Sequence, residues 1–301
     1  MLRYVNMYKV FYCITIAVFT LFSWLPLRVH YLISDVLYIL LYKVLRYRYD
    51  VVVTNISRSF PDMDYKGVRK VTREFYHSLC DTIVETVWTF TRSRERVAEL
   101  LDFRGCDVLN EAYGDGKSVL VVMGHQSNWE LYTSLPDLKA HYGLKMDNEH
   151  FFYIYKKMSS KVSDMVIRKI REKHHACVLV EKNNIVRQML KSKEQGGVYY
   201  FIADQFPDRG VGADMVFMNQ PTKVFNGPEG LARRLSLPVV FFGVERVRRG
   251  LYRSEYKLIC HDASQTEEGF VTREYVKLLE ESINRDKSNW LWSHRRWKKL
   301  K

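Results

Sequence analysis

The sequence predicts an α/β fold: a mixed, largely parallel central sheet flanked by helices, behind an N-terminal membrane-anchoring helix. Two observations carry the prediction. Short β-rich runs alternate with amphipathic segments from Ser118 onward, the rhythm of strand–helix–strand units. Ahead of them, Val10 to Leu27 (VFYCITIAVFTLFSWLPL) holds no charged residue and approaches the ~20 residues needed to span a bilayer core.

The elements follow in order. Arg3 and Lys9 precede the uncharged run, and Arg28, Lys43, Arg46 and Arg48 follow it. That bias keeps the C-terminal body in the cytoplasm. The run is long and lacks a small-residue cleavage site, which argues against a cleaved signal peptide. A second apolar stretch, Val29 to Leu45, carries Asp35 and Lys43 and reads as an interfacial or buried helix. Residues 1–48 are therefore the expected anchor and interfacial helix, and residues 49–301 the expected catalytic domain. Val68, Val71, Phe75, Leu79, Ile83, Val87 and Phe90 recur at three- and four-residue steps, predicting a helix over Val68 to Leu101. Strands are predicted at Ser118–Met123, Phe151–Tyr155, Cys177–Glu181, Val198–Ala203 and Pro238–Val247. Helices are predicted at Asn128–His141, Ser159–Lys173, Asn183–Lys193, Gly227–Ser236 and Phe270–Arg285. The Arg249-Gly250 turn leads into Tyr252–Cys260 and predicts an antiparallel hairpin.

Composition narrows the partners. A formal charge of +13, from 47 Lys+Arg against 34 Asp+Glu, attracts nucleic acid, anionic membrane, phosphorylated substrates or an acidic carrier protein. The 20 Tyr, 16 Phe and 6 Trp lean toward a membrane interface, where amphipathic rings settle. Five scattered cysteines show no metal-ligand spacing and no disulfide framework, so buried free thiols are expected. There is no Gly-rich phosphate loop, which weakens nucleotide-dependent chemistry. A nucleic-acid-binding reading rests on charge alone, and the uncharged N-terminal run speaks against it.

The sharpest local feature is Gly124-His125-Gln126-Ser127-Asn128-Trp129-Glu130. It follows a buried strand, so His125 emerges where ligands bind in an α/β sheet. Glu130 lies in the first turn of the predicted helix, close enough to fold back on the imidazole and orient a general base. Two plainer readings stand beside this one: Ser127-x-x-Glu130 is also a capping box, and His125 is also an acceptable turn residue. Asp204, after the strand ending at Ala203, is expected near His125, either positioning substrate or forming the turn before Pro207-Asp208-Arg209-Gly210. No second histidine has metal-like spacing, so no metal is expected. Arg168, Lys169, Arg171, Arg233 and Arg234 lie on predicted helices, where they are either solvated or bind phosphates. The tail from Trp290 to Lys301 mixes Trp with Arg and Lys, a composition suited to an anionic interface.

These motifs together resemble those of the late lipid A acyltransferases, the lauroyl/myristoyl transferases of bacterial lipopolysaccharide assembly. The Gly124–Glu130 block is similar to that family's histidine–four residues–acid motif. Asn55-Ile56-Ser57-Arg58-Ser59-Phe60-Pro61 resembles its Asn-Leu…Phe-Pro segment, and Ile202-Ala203-Asp204-Gln205 its Asp-Gln strand end. Asn226-Gly227-Pro228-Glu229-Gly230-Leu231-Ala232 matches a small-residue turn into a Leu-Ala helix, and Trp290 to Lys298 a terminal Trp…His-Arg-Arg signature. Tyr155-Lys156-Lys157 stands where the family often has Tyr-Arg-Pro, and Val211 to Thr222 lacks the usual Pro-Phe-Phe-Gly. The resemblance implies transfer of a fatty acyl group from an acyl-carrier-protein thioester to the hydroxyl of a hydroxyacyl chain on a lipid A precursor. It implies His125 as general base, Glu130 orienting it, and Asp204, Lys156 and Arg168 contacting substrate. No cofactor is implied, because a thioester is already activated. The implied partners are acyl carrier protein, an anionic glycolipid and the cytoplasmic face of the inner membrane, with no nucleic acid. A glycerophospholipid or aminolipid acceptor is the alternative within the same fold, and the His125–Glu130 pattern argues against a bare membrane scaffold.

Overall fold

The computed structural model describes residues 2–114, 116–172, 177–192, 195–207 and 210–297. Lys173 and Lys193, the expected ends of two helices, lie outside them, as do Asp208 and Arg209 of the expected turn and residues 298–301 of the tail.

The chain opens with helices α1 (Leu2–Ser23) and α2 (Leu27–Tyr38), the latter running into a π-helical turn at Ile39–Val44, then α3 (Tyr49–Ser59) and α4 (Tyr65–Thr89). The Asp64 carboxylate caps α4 by accepting from the Gly67 amide at 2.7 Å. The α/β body follows: α5 (Arg94–Ala98), β1 (Leu101–Arg104), α6 (Cys106–Tyr113), β2 (Val119–Met123), a 3₁₀ turn at Trp129–Ser134, and α7 (Leu135–Leu138). It continues with β3 (Phe151–Tyr155), α8 (Lys161–Arg171), β4 (Val178–Glu181), α9 (Ile185–Lys191) and β5 (Val198–Ile202). It closes with β6 (Ala213–Phe217), β7 (Gln220–Val224), α10 (Gly227–Leu235), β8 (Val239–Arg248), β9 (Leu251–Cys260) and α11 (Phe270–Arg285).

Seven strands form one sheet in the order β1-β9-β8-β2-β5-β3-β4. Every neighbouring pair is parallel except β8 with β9. The expected mixed, largely parallel sheet is therefore present, with the antiparallel pair at the expected Arg249-Gly250 turn. Strand β2 is buried along its whole length because helices cover both faces, as parallel strands require. Helices α3 and α6, strand β1, which pairs with β9, and the separate β6–β7 hairpin were not expected. The helix expected over Asn128–His141 is also corrected. It is a 3₁₀ turn followed by one turn of α-helix, because Ser127 sits at φ +46° and Pro136 supplies no amide donor.

The N-terminal segment departs from a single anchor. Among the described residues no single helix is long and apolar enough to cross a membrane, but α1 and α2 with its π turn make a pair, bent by 117°, that passes together. Pro26 sits at the break with extended backbone and caps α2, which is where a proline is tolerated. Helix α2 is inverted in polarity. It buries His30, Ser34 and Tyr38 against α4 and exposes Leu32 (65%) and Val36 (66%) to the outside. Val10, Phe11, Ile14, Val18 and Leu21 of α1 are exposed as well.

The tail corrects another expectation. Trp290 and Trp292 are buried, and their rings meet edge to face at 4.8 Å. Burying a large side chain stabilises by roughly 1.5–3 kcal/mol, so Trp290 and Trp292 belong to the core, while Arg295 stays exposed.

Candidate active site

Strand register brings the site together. Met123 of β2 pairs with Ile202 of β5, so His125 and Asp204 each stand two residues beyond a matched pair, at the carboxyl edge of the sheet. His125 Nδ1 lies 2.6 Å from Asp204 Oδ1, and the His125 backbone amide donates to Asp204 Oδ2 at 2.8 Å. Asp204 is buried with its side chain 1% exposed, while the His125 side chain is 17% exposed: the carboxylate lies behind and the ring faces out. The Trp290 indole N–H adds a third hydrogen bond to Asp204, at 2.7 Å. Burial pushes the Asp204 carboxyl up. The charge of His125 and the hydrogen bonds from His125 and Trp290 outweigh it, and they hold the group below the usual carboxylate range.

An ionised Asp204 fixes the ring's tautomer. Nδ1 carries the proton that Asp204 accepts, leaving the Nε2 lone pair free to act as a base. Gln205 Nε2 stands 3.3 Å from His125 Nε2. The ring also meets Trp129 edge to face at 5.1 Å.

The loop that carries His125 is clamped. A Cβ on Gly124 would come within 2.7 Å of Leu279 Cδ1 and 3.3 Å of Asp204 Oδ2, so only glycine allows the carboxylate this close. Ser127, at positive φ, is held by its amide on Asn289 O at 2.8 Å and its hydroxyl on Asn289 Oδ1. Leu291 N donates to His125 O at 3.1 Å, so the terminal Trp signature runs alongside the His125 loop as a short bridge between Gln126 and Trp290. Asn128 Nδ2 donates to buried Glu85 of α4 at 2.9 Å, and the Tyr31 and Tyr252 hydroxyls converge on the same carboxylate at 2.9 and 2.6 Å. Burial pushes the Glu85 carboxyl up despite these three donors.

Glu130 does not hold the ring. Arg171 of α8 engages it bidentately, Nε to Oε2 at 2.8 Å and Nη2 to Oε1 at 2.6 Å. The Trp129 indole donates to Oε1 at 3.1 Å. Burial raises the Glu130 carboxyl, Arg171 more than reverses it, and the charge of His125 contributes to the lowering. Glu130 is thus close enough to be felt electrostatically, but among the described residues Asp204 occupies the orienting position expected for it. The capping-box alternative fails too, since no side chain caps the 3₁₀ turn.

The remaining expected residues gather at the end of β3, one strand beyond β5. Lys156 follows β3 directly and is exposed. Arg168 pairs with Glu172 at 2.9 Å and reaches the Tyr155 hydroxyl at 3.2 Å. Among the described residues no group of three His, Cys, Asp or Glu side chains could hold a metal ion. Sequence reasoning gave no role to Gln205 and did not single out Trp290 or Arg171 within their segments; only the Asp-Gln and terminal Trp motifs flagged the first two.

An exposed imidazole backed by a buried carboxylate at the edge of a parallel sheet is the arrangement a general base requires. The chain belongs to the bacterial lipid A biosynthesis acyltransferase family, whose model matches residues 2–299. It is 24% identical to the lipid A biosynthesis palmitoleoyltransferase of Escherichia coli (strain K12) over 258 residues, 84% of this chain and 80% of the relative. A lipid A biosynthesis acyltransferase of Shigella flexneri matches to the same extent.

Proposed function

We propose that this acyltransferase moves a fatty acyl group from an acyl-carrier-protein thioester to the hydroxyl of a hydroxyacyl chain on a lipid A precursor. The single observation that carries the mechanism is the 2.6 Å contact of His125 Nδ1 with Asp204 Oδ1. His125 Nε2 takes the hydroxyl proton as the oxygen attacks the thioester carbonyl. The tetrahedral adduct collapses to the ester, and the departing thiolate recovers the proton from the imidazolium. A thioester needs no protein nucleophile, only positioning and proton removal. Glu130, paired with Arg171, shapes the wall beside Trp129, and Lys156 and Arg168 offer cations to an anionic glycolipid. No cofactor takes part.

The exposed apolar side chains of α1 and α2 support an inner-membrane location, with residues 1–48 anchoring and residues 49–301 carrying out catalysis in the cytoplasm. An apolar face turned outward over a polar, hydrogen-bonded one suits hydrocarbon better than water. The expected outcome for His125→Ala is a folded protein without transfer. Mass spectrometry of lipid A from a deletion strain complemented with wild type or the variant reads it. Full acylation restored by His125→Ala would sink the mechanism, and loss of acylation in a glycerophospholipid or aminolipid instead would reassign the acceptor.

A further inference from the structure

The crevice that His125 lines directly holds about 10 Å³, room for roughly one water. Substrate volume lies next door. A cavity of about 850 Å³ opens between the end of α3, the β6–β7 hairpin and the C-terminal segment, within the usual ~300–1,000 Å³ of ligand sites. Two of its lining residues are one contact from the dyad. Phe206 follows Gln205, whose amide faces His125 Nε2, and Trp297 packs at 5.8 Å on Trp290, which bonds Asp204.

Apolar rings and polar groups both line this wall, and its cationic groups suit an anion. Arg58 lines it, exposed and without a partner among the described residues. Its one carboxylate among the described residues, Asp214, is neutralised by Lys223, whose ammonium lies 2.7 Å from both oxygens. Behind Thr222, the Arg296 guanidinium is 1% exposed and donates to the Thr222 hydroxyl at 2.7 Å; burial lowers its pKa to about 10, and the charge of Asp204 works against that lowering. The buried indole N–H of Trp297 has no acceptor among the described residues. The Arg58 guanidinium, unpartnered among the described residues, suits an anionic ligand.

We propose that this cavity, with Arg58 as its principal cation, binds the phosphate-bearing end of a substrate while the reacting groups meet at His125. The inference rests on the acyl-transfer reading and names a subsite for it. Two phosphates qualify: the sugar phosphate of the acceptor and the phosphodiester of the carrier protein's prosthetic arm.

The test compares full-length wild type with Arg58→Ala and Arg58→Lys. KM is measured for a phosphorylated lipid acceptor and its phosphatase-treated form, and for the carrier-protein thioester and an N-acetylcysteamine thioester. Arg58→Ala should raise one KM by about tenfold or more, the loss of a charge-assisted hydrogen bond. The rise should vanish with the phosphate-free counterpart, which identifies the source, and Arg58→Lys should restore part of it. Neither KM moving by more than roughly twofold, or a rise that persists on phosphate-free substrate, overturns the inference. Independently of turnover, inorganic pyrophosphate should raise the melting temperature of wild type and not of Arg58→Ala; no rise in wild type also overturns it. Failure here with normal wild-type transfer leaves the acyl-transfer reading intact. Absence of transfer by wild type, with pyrophosphate still binding through Arg58, sinks that reading alone.

Discussion

Replacing Asp204 with Asn separates the two carboxylates that sequence and structure assign to the imidazole. The substitution keeps shape and removes charge. Asp204 accepts three hydrogen bonds, from the His125 ring, the His125 amide and the Trp290 indole. Asparagine has one acceptor oxygen and one donor NH₂. If the oxygen keeps the amide and indole donors, the NH₂ faces His125 Nδ1 and drives the ring's proton to Nε2, where the base must be unprotonated. General-base assistance is worth about 10²–10⁴-fold in rate, or about 2.7–5.4 kcal/mol of barrier. Single-turnover transfer from a labelled acyl-carrier-protein thioester to a lipid A precursor measures it, with the melting temperature as a control for folding. Turnover within roughly tenfold of wild type would refute the assignment. If Glu130→Gln instead lost the full factor, Glu130 would return as the orienting group.

The other substitutions test neighbouring contacts. Glu130→Ala strips a partly buried arginine of its bidentate partner, so denaturant unfolding should show a loss of about 1.5–3 kcal/mol; an unchanged midpoint would show that Arg171 finds another partner. Glu85→Ala leaves three buried donors without an acceptor and should cost about 2–3 kcal/mol, whereas Glu85→Gln should cost far less. The folded pKa of Glu85 is raised by burial. Its contribution is therefore fully present below the ordinary glutamate range near ~4.3 and is lost as pH rises through the folded value. The advantage of wild type over Glu85→Gln should accordingly shrink with rising pH, and growth with pH would contradict the assignment. Leu32→Glu and Val36→Glu place charge on the outward face of α2; they should move the protein from the membrane pellet toward the supernatant without changing its melting temperature, and unchanged fractionation would remove that face from the membrane.

Much of the sheet was legible because parallel strands buried on both faces must be nearly continuous apolar runs. Val119–Met123 and Val198–Ile202 could hardly be anything else. The β1 strand, LDFR, and the β6–β7 hairpin were not legible, since neither alternates cleanly or forms an apolar run. The helix expected after the motif failed because tertiary contacts to Asn289 hold Ser127 in a conformation that helix propensity disfavours. The tail was misjudged because aromatic-plus-basic composition fits a membrane surface and a packed core alike. Only packing partners such as Phe60, 5.8 Å from the Trp292 ring, distinguish them.

By itself the sequence determined the class of fold, the family, and the histidine at a strand's carboxyl end, all of which depend on order along the chain. Which acid serves that histidine was decided by the tertiary structure alone. Glu130 was near in sequence, but its turn pointed it at Arg171. Asp204, 79 positions away, came to the ring because β2 and β5 are hydrogen-bonded neighbours in matching register; the sequence placed it near His125 at a strand end, but which side chains meet across neighbouring strands depends on packing between distant segments.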